Sequence, residues 1–156
     1  MNGLQGLDPS LVQLISRAEE FHGHLGPFLI LGLKLGLTGI KVLSVERGDP
    51  NLLVAAKLEY RVPFSCVLDG IQISTGCTFG NKRLKLINTP GISSTFERDG
   101  KFLEIEVPKE IIGEIERSIK DSGGYGYSLE RIAYKVAATD CRHLFLLKVN
   151  PAGEGN

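Results

Sequence analysis

Leu11, Val12, Leu14, Ile15 and Ala18 recur at the three- and four-residue spacing of a helix that buries one face. Asp8-Pro9-Ser10 supplies an N-cap and a proline at the first helical position, and Gly23 stops the pattern just after Phe21. The run from Leu25 to Leu37 is different: it is apolar apart from Lys34, so it has no polar face and reads as a helix buried on all sides. Gly26-Pro27 opens it, leaving the first-turn amides of Phe28 and Leu29 free to face an anion or a bound group. Gly32, Gly36 and Gly39 follow within it, each costing about 1 kcal/mol against alanine, so close contact with another helix or with a second subunit has to account for them.

Beyond this helix the period shortens. Lys41 to Glu46 and Leu52 to Tyr60 read as strands between Gly-Asp-Pro-type breakers. Ser65 offers an N-cap for a short helix that carries Cys66, Asp69, Gln72 and Thr75 and ends at Gly76, with Asp69 and Gln72 on one face by their spacing of three. Lys85 to Asn88, Ile92 to Arg98 and Lys101 to Val107 return to strand patterning, the last two joined by the hairpin dipeptide Asp99-Gly100. Pro108 opens a helix to about Ser122, Ser128 caps another to about Thr139, and His143 to Val149 closes as a strand. Helices grouped with a mainly antiparallel sheet give an α+β fold, a single domain over residues 1–150, with 151–156 as a frayed tail.

Length and charge narrow the function classes. A chain of 156 residues can bury one contiguous core without disulfides or metal. Lys+Arg and Asp+Glu are equal at 18 each and form no basic block, which argues against a nucleic-acid partner. The 13-residue apolar run is too short to span a bilayer, so no membrane segment is expected. Three cysteines without a secretory leader point to the cytoplasm, where thiols bind metal or react more often than they pair.

Scarce chemistry gathers in two windows. Phe21-His22-Gly23-His24-Leu25-Gly26-Pro27 holds two of the three histidines on the hinge between the first two helices, and Cys66 to Lys82 holds two of the three cysteines. The histidines also suit a plain polar turn closed by Gly23, and Cys66 a small buried residue. Cys77, in a Gly-Cys-Thr-x-Gly loop where packing does not ask for a thiol, is the stronger candidate, whereas Cys141 and His143 stand outside both windows and read as structural. The Gly123-Gly124-Tyr125-Gly126-Tyr127 stretch reads as an interhelical turn or as a flap over a pocket.

Together the two windows resemble the FmdE-like family of formylmethanofuran dehydrogenase components, whose members show Phe-His-Gly-His-x-Cys-Pro before a glycine-spaced apolar helix, and later Cys-x-x-Asp-x-Gln-x-x-Thr-Gly-Cys-Thr-x-Gly. The resemblance is to the core domain without the zinc-ribbon appendage of many relatives. It implies an α+β core, a homodimer, and a metal centre drawn from His22, His24, Cys66 and Cys77, with Asp69, Gln72, Thr75 and Lys82 around it. One departure stands out: Gly26 occupies the place of the family cysteine, a thiol that the helix terminus would acidify.

Zinc is the divalent ion that best accepts imidazole and thiolate together, and three protein ligands would leave a position open for water or substrate. His22 and His24 are two apart and cannot share a helix face, so one is expected to ligate while the other stands behind it, oriented by a carboxylate such as Asp69. Gln72, Thr75 and Lys82 would then hold a small molecule, with His24 or Asp69 as proton acceptor. The resemblance places this work in one-carbon or molybdenum/tungsten-enzyme metabolism, with such an enzyme as partner. The rival expectations are a non-catalytic module that binds or delivers a pterin-type cofactor, and a structural subunit that uses the Gly32/Gly36 helix as its interface.

Overall fold

The computed structural model describes residues 3–124 and 126–150. The expected tail at 151–156, Tyr125 and the Tyr127 side chain of the expected flap lie outside the described residues.

Helix α1 (Pro9–His22) starts where Asp8 accepts the Ser10 amide at 2.7 Å, and stops at Gly23, whose φ of 100° lets its N–H return to the Glu19 carbonyl. Helix α2 (Pro27–Val42) is the centre of the molecule, with Phe28, Leu29, Ile30, Leu31, Leu33 and Leu35 essentially without solvent contact. Helix α3 (Cys66–Thr75) lies against it. A Cβ at Gly32 would overlap the Val67 carbonyl, and one at Gly70 would overlap the Leu29 carbonyl, so the two helices meet backbone to backbone through glycine. The glycine spacing is therefore spent inside the chain. A Gly32/Gly36 subunit interface is excluded by this packing, because Gly36 is covered by Ser74 and Gly39 by the Phe96 ring.

The sheet takes the order β2-β1-β3-β4-β5, with β1 (Leu52–Leu58), β2 (Leu84–Asn88), β3 (Ile92–Arg98), β4 (Lys101–Glu106) and β5 (Leu146–Asn150). Only β1 and β2 are parallel, linked through α3; the other three pairings are antiparallel. The α+β expectation is met. Alternation is strict in β1, where Leu52, Val54, Ala56 and Leu58 face the helices and are buried while Leu53 faces away. Helices α4 (Lys109–Asp121) and α5 (Tyr127–Ala138) and the short α6 (Cys141–Leu144) complete the chain, α5 packing on α2.

Two elements differ from the sequence reading. Lys41 to Glu46 is no strand: α2 continues through Val42, since Ile40 and Leu43 extend its apolar surface onto the core and outweigh the β preference of Val42 and Val45. His143 belongs to α6, not to a strand, because Asp140 caps a helical turn by accepting the Arg142 amide at 2.8 Å, and β5 begins only at Leu146. Ser65, expected as a cap, is itself helical (φ −60°) and its hydroxyl caps nothing.

Candidate functional site

The α1–α2 hinge turns the chain sharply enough to stack the two imidazoles. Their ring centroids are 4.6 Å apart at 42°. His22 is the better buried of the two, and its Nδ1 lies 2.6 Å from Oδ2 of Asp69, one turn into α3. Asp69 is itself held: Gln72 donates its amide to Oδ1 at 3.2 Å and accepts the Phe79 N–H at its own oxygen at 3.3 Å. A connected line thus runs from the loop after α3, through Gln72 and Asp69, to His22. Nε2, on the far side of the ring, is buried without a partner among the described residues, and it is a lone-pair acceptor where Nδ1 alone carries the proton. A buried acceptor left unmet costs stability of about 1–3 kcal/mol, which marks it as a place that something else completes.

His24 is exposed and borders a cleft of about 560 Å³ with Glu19, Gly23, Leu25, Gly126, Leu129 and Glu130. The first turn of α5 forms the opposite wall. That wall is pinned from within by a residue the sequence showed only as a break in an apolar run. Lys34 is buried, and its ammonium donates to the carbonyls of Val136, Ala137 and Thr139 at the far end of α5. Burial pushes its pKa below the ordinary lysine value, countered by Cys141 and Asp140. A lysine inside an otherwise apolar helix was the available signal; its target could not be read because it lies about a hundred residues away.

Gly26 is extended (φ −140°, ψ 163°), a conformation any residue adopts, so the backbone does not require glycine there. A Cβ at this position would stand 3.7 Å from Nε2 of His24 in ordinary contact. The family thiol would therefore fit beside His24, and this chain leaves that place empty of sulfur.

Of the other candidates, Cys66 stays near Asp69: it begins α3 half-buried, its thiol pushed up by burial and then by that carboxylate. The rest go elsewhere. Thr75 donates to the Ile71 carbonyl at 2.6 Å and accepts the Cys77 amide at 3.0 Å, closing the end of α3 rather than facing a ligand. Cys77 is 1% exposed and its thiol donates to the Leu52 carbonyl at 3.3 Å, with burial again raising its pKa. Lys82 sits in the turn before β2 (φ 63°) and borders a hollow on the opposite face of the sheet with Arg83 and Lys85. The structure brings His22, His24, Asp69 and Gln72 together and sends Thr75, Cys77 and Lys82 away. Among the described residues no group of three or more His, Cys, Asp or Glu side chains could hold a metal ion. No helix among them is long and apolar enough to cross a membrane.

Known proteins resemble this chain in sequence and in fold. A probable S-adenosyl-L-methionine-binding protein of Archaeoglobus fulgidus is 38% identical over 74 residues, 47% of this chain but 20% of that protein, so the chain spans about a fifth of that relative's length. The crystal structure of a tungsten formylmethanofuran dehydrogenase FmdE-like protein from Syntrophus aciditrophicus superposes with a TM-score of 0.56 at 18% identity, covering 92% of this chain and 73% of that one, which is a likeness of fold. The family model of FmdE, described as molybdenum formylmethanofuran dehydrogenase operon, matches residues 21–137, a span that starts at the histidine hinge and takes in α3, the first four strands and α5. On that match the chain belongs to the FmdE family.

Proposed function

We propose that this chain is a small-molecule-binding domain that works beside a molybdenum or tungsten enzyme of one-carbon metabolism, with its ligand entering the cleft at His24 and meeting Nε2 of His22. One observation carries the reading: the imidazole of His22 is fixed by Asp69 at 2.6 Å while its second nitrogen is buried and unpartnered. In that setting Asp69 is a positioning residue and His22 the proton acceptor or hydrogen-bonding contact, which transfers to His22 the role that sequence alone gave to His24 or Asp69. The names of the relatives, one for a molybdenum operon, one for a tungsten enzyme and one for S-adenosyl-L-methionine binding, support a cofactor-handling role, with a pterin or a nucleoside-type cofactor as the ligand class.

A divalent ion such as zinc is the second reading, favoured by the same carboxylate–imidazole pair, since metal-ligating histidines commonly donate their other nitrogen to a carboxylate. The donor set fits it only in part. His22 and His24 offer two imidazoles and Cys66, near Asp69, a half-buried thiol, while Cys77 is turned into the core and Gly26 supplies nothing. A zinc centre with an open position asks for three protein ligands, and among the described residues no three such side chains stand together.

Calorimetric titration with a pterin, with S-adenosyl-L-methionine and with zinc separates the readings. On the first, an organic ligand binds without metal, and His22→Ala, still folded by circular dichroism, weakens it by about 100-fold or more. Equal organic-ligand affinity in wild type and His22→Ala would refute the site, and binding of zinc alone, lost in His22→Ala, would establish the second reading in its place.

A further inference from the structure

A second hollow, of about 270 Å³, lies where the chain leaves β1 and enters β3 beside α4, and it shares no lining residue with the cleft at His24. Its floor is apolar, made by the buried Phe64, Ile92 and Ile112. Each wall carries one charge of either sign, Glu59 and Arg61 just past β1 on one side, Lys109 and Glu116 of α4 on the other. Arg61 is held in place although its side chain is 57% exposed: Nε donates to Oε2 of Glu59 at 2.8 Å, and the guanidinium carbon stands 4.5 Å from the centre of the Phe64 ring. Phe64 is braced in turn, edge-on, by Phe28 at 5.3 Å. Among the described residues the two Nη groups of Arg61 have no hydrogen-bond partner, and Lys109 and Glu116 make no ion pair. A guanidinium fixed on two sides with its forked edge unspent is suited to take a carboxylate in two parallel hydrogen bonds. Gly113 adds a separate sign. Glycine is a poor helix former, and those of α2 and α3 lie against packed neighbours that leave no room for a side chain, whereas a Cβ at Gly113 would meet only the movable end of Arg117 at 3.3 Å. Tertiary packing does not ask for glycine there, and the room it leaves opens onto the hollow.

We propose that this hollow binds a free α-amino acid with an apolar side chain, at a site separate from the one at His22 and His24. The carboxylate of the amino acid meets the Nη edge of Arg61, with the Lys109 ammonium as a second cation. Its ammonium turns to the carboxylates of Glu59 and Glu116, and its side chain covers Phe64 and the two isoleucines. Two cations and two carboxylates around the hollow cancel, so neither a plain anion nor a plain cation is favoured, and a molecule that carries both charges answers both walls. Size points the same way. The hollow falls just below the range of about 300–1,000 Å³ that holds drug-sized ligands, which suits a single amino acid better than a nucleoside or a pterin. The carboxyl end of a peptide offers the same carboxylate and apolar side chain but no ammonium beside them, and it would leave Glu116 unanswered.

Amide chemical-shift titration of the full chain with leucine tests the assignment, against 4-methylpentanoate, which lacks the ammonium, and 3-methylbutylamine, which lacks the carboxylate. Leucine is expected to move the signals of Arg61, Phe64, Ile92 and Gly113, to leave that of His24 in place, and to bind about tenfold or more tighter than either analogue. Arg61→Gln weakens leucine by about tenfold or more, because the paired hydrogen bonds to its carboxylate are lost. Glu116→Gln weakens leucine and leaves 4-methylpentanoate as it was. Gly113→Leu fills the hollow and abolishes binding, while its melting temperature stays at or above that of wild type because leucine is the better helix former. No shift with leucine at millimolar concentration, an analogue that binds as tightly as leucine, or unchanged leucine affinity in Arg61→Gln would each overturn the proposal. Should Gly113→Leu not fold, the two charge variants, both altered at exposed side chains, decide the question alone.

Discussion

The two ends of α3 come from one continuous motif and have opposite fates. At its start, Asp69 and Gln72 reach out of the helix pair, hold His22 and leave a buried nitrogen waiting for a partner. At its end, Thr75 and Cys77 satisfy one another and the neighbouring backbone, and nothing there asks for a ligand. Six residues separate Asp69 from Thr75, about 9 Å along the axis, so the partners of the cysteine and those of the histidine have no residue in common. A run of polar residues at family spacing thus mixes two jobs: part of it builds the site, and part of it ends the helix that carries the site.

The contrast can be broken at its foundation by crowding the helix contact. Gly32→Ala pushes a methyl into the Val67 carbonyl and should cost about 3 kcal/mol or more in urea denaturation, moving both ends of α3 together. A variant as stable as wild type would mean that α2 and α3 do not touch as closely as described. A finer cut treats the ends separately. Asp69→Asn should lower the affinity of whichever ligand His22 takes by about 10- to 100-fold with little change in melting temperature. Cys77→Ala should do the reverse, losing about 1 kcal/mol of stability and no affinity. If Cys77→Ala abolished binding, the separation of the two ends would be wrong.

The smallest effect concerns the thiols. Cys66 is held above the ordinary cysteine pKa by burial and by the Asp69 carboxylate, whereas the charges near Cys77 are Arg83 and Asp49. Removing the carboxylate lowers the Cys66 pKa and raises its thiolate fraction at mildly alkaline pH. Asp69→Asn should therefore speed alkylation of Cys66 and shift its rate profile toward lower pH, leaving Cys77 as slow as before. Equal acceleration of both would indicate loosening of α3 instead of a local charge effect.

Local signals carried much of this molecule. The caps of α1, the proline start of α2, the Asp99-Gly100 hairpin and the glycine stop after α3 each act within a few residues, and they are where the pattern put them. The end of α2 was misread because Val42 and Val45 favour strands in isolation, and only the core that receives Ile40 and Leu43 tips the balance toward helix. The histidine pair was visible as a candidate because imidazoles two residues apart around a glycine are uncommon, but which of them is the oriented one depends on an aspartate 47 positions later.

What the sequence determined alone is the fold class, the family and the pool of groups from which a site could be made, since periodicity, capping and motif spacing are local. Only the tertiary structure decided which of those groups meet. The packing of α3 on α2 sets Asp69 behind His22, turns Cys77 inward, and uses Lys34 to anchor the wall of the cleft from the far end of α5. Those pairings join residues tens of positions apart, and no local preference encodes the direction in which a packed helix points its side chains.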